Sequence, residues 1–220
     1  MDAGELVRRF RAGEREFRGV DPSGADLRGA SLKGIDLRHA ILSGANLSEV
    51  NLGRANLSDA DLTGANSSGA KLSGVILERA RLHEADLSGA SLCGAKLHRA
   101  KLIRAKMPGV DLRQARLCRV NLMWADLRGA NLRGANLGRA MLTGASLSET
   151  DLQGADLSWT SLAGANLAGA DLSSANLCGA KLHEAELRGT NLTAATVTEE
   201  QLAQAASLGG VILPDGTARE

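Results

Sequence analysis

Aromatic residues are almost absent from this 220-residue chain: they make up 2% of it, and tyrosine does not occur. A globular core of this size normally relies on large rings for much of its buried apolar area. Leucine, alanine and glycine must therefore carry the packing. This composition favours one small structural unit repeated many times over a single irregular core.

The chain also lacks paired cysteines and long apolar runs. Cys93, Cys118 and Cys178 form no CxxC pair, and an odd number of thiols leaves one unpaired, which fits a reducing compartment. No window approaches the roughly 18 apolar residues of a membrane span, and the charged start MDAGELVRRFRAGEREF does not resemble a signal peptide. We therefore expect a cytoplasmic protein that does not enter a membrane.

Neither sign of charge dominates the whole chain, whose formal net charge is +1. The total therefore predicts neither general affinity for nucleic acid nor acidic mimicry of it. The charge is nevertheless unevenly distributed. Residues 1–75 hold ten acidic and ten basic residues, residues 76–140 hold five and thirteen, and residues 141–220 hold ten and three, so the segments carry 0, +8 and −7. We call residues 76–140 the waist.

What the chain does contain is an uninterrupted five-residue repeat from residue 25 to residue 194. Of its 34 pentads, 32 are centred on leucine, and the exceptions are Ser67 and Met107. A small or β-branched residue lies two positions before the centre, a polar residue stands between the two, and glycine often lies two positions after the centre. The repeating unit is A(D/N)LxG.

A period of five matches neither the 3.6-residue period of a helix nor the alternation of a long strand. It fits a short strand followed by a corner, in which the small residue and the leucine point inward and the polar residue between them points outward. One such segment cannot bury its leucine alone, so the chain must coil and stack, with backbone hydrogen bonds between coils. The repeat predicts an all-β solenoid.

The A(D/N)LxG units resemble those of the pentapeptide-repeat family over residues 25–194. The resemblance implies a right-handed quadrilateral β-helix with four pentads per coil, and hence about 8 to 9 coils from 34 pentads. Because both ends of such a rod must be covered, we expect an N-terminal cap over residues 1–24 and a C-terminal cap over residues 195–220, each with a short helix. A capping box from Thr198 to Gln201 announces the second helix. The end segments are similar to those of cyanobacterial members.

Four pentads per coil would stack residues twenty apart, and several unusual residues of the waist then share one outward region. The candidate partner-binding residues there are Arg79, Arg99, Arg119, Arg139, Lys101, Arg104, Ile103, Met123 and Trp124, with Met141 beside them. Clustered arginines supply forked donors for carboxylate and phosphate groups. Exposed aromatic and aliphatic side chains among cations are typical of a binding hot spot. The alternative is a solvated surface without a partner.

The repeat is disturbed within this region, in the stretch KLHRAKLIRAKMPGVDL, residues 96–112. Lys96, Lys101 and Lys106 stand where other pentads carry Asp, Asn or Ser. Pro108 removes one backbone donor, so we expect a local irregularity on that side of the rod. Basic and apolar departures from the repeat therefore coincide in the waist.

The same stacking places Glu78, His98 and Cys118 in one column. His beside Cys occurs in thiol catalysis and in zinc sites. A flat outer face, however, offers no pocket that excludes water, and a fourth metal ligand is not evident. We therefore predict neither an enzyme nor a metal or cofactor site.

Two functions remain. The first is a non-enzymatic scaffold, a rigid rod whose basic waist docks an acidic surface of a protein partner. The second is implied by the resemblance, since quinolone-resistance members of the family mimic DNA and occupy a type II topoisomerase such as gyrase. Those members are strongly acidic, a property that only residues 141–220 share. The lack of aromatic platforms beyond Trp124 and Trp159 disfavours nucleic-acid binding, and a homodimer through one rod end is also considered.

Overall fold

The computed structural model describes residues 1–219. Its regular elements lie at the two ends of the chain: α1 is Ala3–Arg11, α2 is Glu199–Leu202, and β1, Val211–Ile212, pairs antiparallel with β2, Ala218–Arg219. Between α1 and α2 the chain forms isolated parallel bridges instead of continuous strands, because each pentad turns after a few extended residues. Neither helix of the described residues is long and apolar enough to cross a lipid bilayer.

The bridges join residues twenty positions apart, for example Asp26 and Asn46. Leu27 donates its N–H to the carbonyl of Asn46 at 2.8 Å, and Asn46 donates in turn to Ala25 at 2.9 Å. The same pattern recurs along the repeat, so backbone hydrogen bonds run from coil to coil. The predicted neighbourhood of residues that differ by twenty is thereby confirmed.

The interior contains the centre of each pentad and the small residue two positions before it. The leucine centres are at most 4% exposed and belong to one continuous core. Ser67 and Met107, the two exceptions to leucine, are buried as well. Where threonine replaces alanine, its hydroxyl donates to a backbone carbonyl, as from Thr150 to Leu147 at 2.7 Å. No buried side-chain oxygen or nitrogen within residues 1–219 lacks a hydrogen-bond partner.

Each pentad ends in a four-residue turn that is closed by a hydrogen bond, as from Ala30 to the carbonyl of Leu27 at 3.0 Å. The third residue of the turn has a positive φ, which a type II turn requires and glycine adopts without steric cost. The Asp or Asn before the leucine supports the turn, because its side-chain oxygen accepts the N–H of the residue after the leucine. Asp26 accepts from Arg28 in this way at 3.1 Å. These two roles explain the D/N and G of the repeat.

The disturbed stretch of the waist keeps this backbone. Lysine has no acceptor, so Lys96, Lys101 and Lys106 cannot support their turns as Asp or Asn does. Pro108 occupies the position whose N–H lies outside the coil-to-coil ladder, and its carbonyl still accepts from Gly89 at 3.0 Å. The predicted irregularity at Pro108 is therefore wrong, because no ladder donor is lost there.

Both ends of the coiled region are covered. At the N-terminal end, α1 buries Leu6 and Phe10, and its first turn is capped by Asp2. At the C-terminal end, the predicted capping box between Thr198 and Gln201 is present. The Gln201 side-chain amide donates to backbone carbonyls of the coil beneath, including that of Leu177 at 2.7 Å. Backbone acceptors at this edge are therefore satisfied by the cap.

The buried leucines predict a strong asymmetry between inward and outward substitutions. Leu87 is 0% exposed, so Leu87→Asp would bury an unpaired carboxylate and lower the free energy of unfolding by at least about 3 kcal/mol. Ser91→Asp, at an outward position where the next coil carries Asp111, should stay within about 1 kcal/mol of wild type. The melting temperatures of the two variants and of wild type are compared in thermal unfolding experiments with circular dichroism as the signal. Equal melting of Leu87→Asp and wild type would contradict the inward assignment.

The corners predict a second effect on stability. The column Arg79, Arg99, Arg119 and Arg139 occupies the left-handed corner position, with φ between 57° and 61°. A residue with a Cβ pays about 1 kcal/mol or more there, so replacing Arg99, Arg119 and Arg139 with glycine should raise the free energy of unfolding by up to about 1 kcal/mol per site. Alanine at the same three sites removes the charges but keeps the Cβ atoms. If urea titration finds an equal gain with alanine, charge repulsion rather than backbone strain is the cause.

Candidate functional site

All nine predicted residues lie on one face of the rod and its two corners. We number the faces by their leucines: face 1 carries Leu87, face 2 Leu92, face 3 Leu97 and face 4 Leu102. Lys101, Ile103 and Met123 lie on face 4. The arginine column forms the corner between faces 3 and 4, and the pair Arg104 and Trp124 forms the next corner. The structure therefore brings the predicted residues together.

Trp124 is the apolar centre of this region. It is 53% exposed, and Met141 on face 4 is 44% exposed, whereas Ile103 and Met123 are half-buried. The indole lies over Gly144, where a Cβ atom would stand 2.6 Å from Trp124 Cδ1. The Arg104 guanidinium carbon lies 5.9 Å from the ring centroid, within cation–π range. Neighbouring coils thus hold the indole in place while half of it stays accessible.

Ion pairs divide the thirteen basic residues of the waist into two groups. Five arginines are paired: Arg79 with Asp59, Arg81 with Asp61, Arg113 with Asp111, Arg128 with Asp126, and Arg133 with Asp151. Eight have no acidic oxygen of residues 1–219 within 4.0 Å: Lys96, Arg99, Lys101, Arg104, Lys106, Arg116, Arg119 and Arg139. Only Lys106 of these eight lies on face 1. The other seven form a continuous unpaired basic surface on faces 3 and 4 and their corners.

Arg79 marks the N-terminal boundary of this surface. Its guanidinium donates to both carboxylate oxygens of Asp59, at 2.8 and 2.6 Å. This bidentate pair neutralises Arg79, although Arg79 belongs to the same column as Arg99, Arg119 and Arg139. The column therefore presents three free guanidinium groups rather than four.

A groove of about 560 Å³ lies on face 3 and extends to the corner between faces 2 and 3, where Gln114 and Gly134 line it. Its side chains include Glu78, Lys96, His98, Arg116 and Cys118. Face 3 is therefore not flat at this place, although the groove is open to solvent and is not a pocket that excludes water. Physically, Cys118 is short and the neighbouring corner carries a glycine, so the longer side chains around them form the walls.

The groove contains cations and is open to solvent along one side. Lys96 and Arg116 are unpaired. Arg99 and Arg119, at the corner between faces 3 and 4, extend this positively charged surface. Within the described residues, no group of three His, Cys, Asp or Glu side chains is arranged to hold a metal ion. This arrangement is suited to binding anionic groups.

The prediction omitted Trp159 from the site. Trp159 lies one coil beyond Arg139 at the same corner, has a φ of 59°, and is 64% exposed. Its ring packs over Gly179, where a Cβ atom would lie 2.7 Å from Trp159 Cε3. Trp159 follows Arg139 by twenty residues, and this spacing alone places Trp159 in the same column and would have been enough to include it among the candidate residues. The free arginines are therefore flanked by accessible indoles on two sides.

The Asp59–Arg79 pair predicts a pH dependence. Hydrogen bonds from Arg79 lower the pKa of Asp59 below its usual value. The pair therefore stabilises the fold above the unfolded pKa of about 4, and this contribution disappears as the pH falls through the lower pKa of the folded state. The difference in unfolding free energy between wild type and Asp59→Asn should be largest near neutral pH and shrink below about pH 4. Urea unfolding of both proteins across this pH range measures the difference. A difference that does not change with pH would contradict the stabilising role of the Asp59–Arg79 pair.

Comparisons with known proteins agree with the repeat. The family profile described as pentapeptide repeats matches eight copies, over residues 16–44, 40–79, 80–119, 121–158 and 155–193. No curated protein sequence matches the chain.

Among solved structures, HetL is 37% identical over 100% of both chains, with a TM-score of 0.44. HetL is a pentapeptide repeat protein involved in heterocyst differentiation regulation from the cyanobacterium Nostoc sp. strain PCC 7120. Two structures of QnrB1, a plasmid-mediated fluoroquinolone resistance protein, are 23% identical and cover 76% of this chain. The matches cover 82% and 81% of the two QnrB1 chains, with TM-scores of 0.50 and 0.55, and show that the fold is similar.

Pentapeptide-repeat proteins are right-handed β-helix solenoids and are generally non-catalytic. The profile covers most of the chain, and the identity with HetL extends over the full length of both proteins. The period of five, the stacking at twenty residues and these matches lead to one conclusion: the chain belongs to the pentapeptide-repeat family.

Proposed function

We propose that this protein is a non-enzymatic interaction scaffold whose waist docks an acidic surface of a protein partner. The observation that carries the proposal is the separation of paired from unpaired charge. Seven unpaired cations lie together on faces 3 and 4 and their corners. Three of the paired arginines, Arg113, Arg128 and Arg133, lie on faces 1 and 2, and the other two lie at the N-terminal edge.

The unpaired cations occupy positions that are unfavourable for the fold. Arg99, Arg119 and Arg139 have left-handed backbone where glycine costs nothing, a penalty of about 1 kcal/mol each. Lys96 and Lys101 replace the Asp or Asn whose oxygen supports a turn, a hydrogen bond worth about 1 kcal/mol. Selection for stability alone would retain glycine and Asp or Asn at these positions. Non-glycine residues occupy corners along much of the rod, from His39 to Ala194, so the support for a binding role comes from the three unpaired arginines that share one column here.

The geometry fits a carboxylate-rich partner. Successive coils are separated by about 4.8 Å, so the three free guanidinium groups start from a rigid backbone at regular intervals. Each guanidinium offers a planar fork that matches a carboxylate. Trp124 and Arg104 beside them are residue types that dominate interface energetics. A rigid backbone lowers the ordering cost of binding.

Membership of the pentapeptide-repeat family supports a binding role, because proteins of this family are generally non-catalytic interaction proteins. The three cysteines are free, which fits a reducing compartment such as the cytoplasm. The alternative, a gyrase inhibitor that mimics DNA, is supported by the fold of QnrB1 and by the −7 charge of residues 141–220. The +8 charge of the waist opposes it.

The double variant Arg99→Glu with Arg119→Glu tests the scaffold. We expect its unfolding free energy to stay within about 1 kcal/mol of wild type, while the partner is captured at least about tenfold less from a nuclease-treated lysate of the native host. Quantitative mass spectrometry of the captured proteins measures the loss. Fluorescence of Trp124 in a Trp159→Phe background then follows binding of the purified partner.

The matched control is Arg113→Glu with Arg128→Glu, which changes the net charge equally but on faces 1 and 2. This control should capture the same proteins as wild type. If the Arg99 and Arg119 variant also captures them, the waist is not the docking surface. A gyrase supercoiling assay runs in parallel, and equal inhibition by wild type and both variants would favour the alternative.

A further inference from the structure

We propose that a hollow on face 2, away from the unpaired basic surface on faces 3 and 4, binds a phosphate group. The hollow has a volume of about 300 Å³. The residues that carry the argument are Lys33, Gly53, Arg54, Lys71, Ser73 and Ser91. It lies toward the N-terminal end of the rod, so the inference does not depend on the function proposed for the waist.

Gly53 creates the space. Glycine directly follows the centre in only two of the 34 pentads, at Gly53 and Gly138. Gly53 does not have a left-handed φ, so its turn does not require glycine. An added Cβ would lie 3.3 Å from Asn51 Oδ1 and 3.7 Å from the Ser73 carbonyl oxygen.

A serine is accommodated in the same arrangement elsewhere in the rod. Ser58 follows its leucine at the equivalent position, and both its N–H and its hydroxyl donate to Asn56, at 3.0 and 2.7 Å. Gly53 is therefore required neither by the backbone nor by packing, and glycine is the less favourable choice in an extended segment. The effect of Gly53 is to leave space above face 2 that a larger side chain would occupy.

Three cations surround that room. Lys33 lies one coil before Gly53 in the same column, Lys71 one coil after in the neighbouring column, and Arg54 at the adjacent corner. The Lys33 stem passes over the glycine, with Cγ 3.9 Å from the position of its missing Cβ. Among residues 1–219, no acidic oxygen lies within 4.0 Å of these three cations. Glu49, at the other corner of face 2, packs over Gly69 instead.

Hydroxyl groups complete the polar lining. Ser73 Oγ and Ser91 Oγ lie 3.0 Å apart, and either can donate or accept. A tetrahedral dianion such as a phosphate monoester uses several cations and hydroxyl donors at once. The volume is near the lower end of small-molecule sites, about 300–1,000 Å³, which fits a phosphate or pyrophosphate group. A small metabolite and a phosphorylated side chain share this chemistry.

The experiment is a chemical-shift titration of the full-length ¹⁵N-labelled protein at constant ionic strength. Sodium pyrophosphate is the probe in one arm, and a short phosphoserine peptide is the probe in the other. We expect saturable shifts of the amide signals of Gly53, Arg54 and Ser73 in at least one arm. The arm with the tighter saturation identifies the source of the phosphate group.

Gly53→Ser restores the usual repeat residue and fills the hollow, so it should weaken binding at least about tenfold while the protein stays folded. Lys71→Asn, which introduces the residue that the preceding coil carries there, should also weaken binding. Gly138→Ser is the matched control, the same change at the equivalent position on face 3, and should leave affinity unchanged. Unsaturable shifts in both arms, or equal affinity in Gly53→Ser and wild type, would overturn the proposal.

Discussion

Backbone hydrogen bonding between coils is the constraint on which the whole structure depends. Each extended segment donates to the coil ahead and to the coil behind, as Leu27 and Asn46 do, so the offset of twenty residues cannot change inside the ladder. It changes once, after α2 inserts one residue: Glu186 pairs with Ser207 and Asn191 with Ile212, an offset of twenty-one. This change is tolerated because it occurs at the last rung, where no further coil has to remain in register.

Because the offset is constant, each position of the pentad has the same backbone conformation and the same backbone hydrogen bonds in every coil. The corner prefers glycine because its φ is positive, and the position before the leucine prefers Asp or Asn because their oxygen accepts a turn N–H. Where cations replace these residues, a local cost arises without any change in the backbone. The waist and the hollow at Gly53 both depend on such exchanges: arginine at a corner, lysine before a leucine, and glycine where serine is tolerated. The functions proposed for this rod therefore depend on side-chain exchanges that leave the backbone unchanged.

Much of the fold could be predicted because its determinants are local. The alternation of inward and outward residues, the helix over residues that include Leu6 and Phe10, and the capping box at Thr198 follow from spacing within a few residues. The nine candidate residues lie together on one face and its two corners, because stacking converts a sequence difference of twenty into contact, and their binding role stays a prediction. The error at Pro108 had a specific cause, since the five-residue period does not reveal which N–H of each pentad lies outside the ladder.

By itself, the sequence determined the solenoid, its ends, and the columns in which charges and indoles stand, because these depend only on the period and on residue type. Only the tertiary structure decided which charges are free. Arg79 is neutralised by Asp59 one coil before it and Arg113 by Asp111 two residues before it, whereas Arg99 meets no carboxylate. The groove beside Cys118 and the hollow above Gly53 likewise emerged from the structure. Ion pairs and hollows depend on the direction and length of neighbouring side chains across coils, and no periodicity in the chain specifies these.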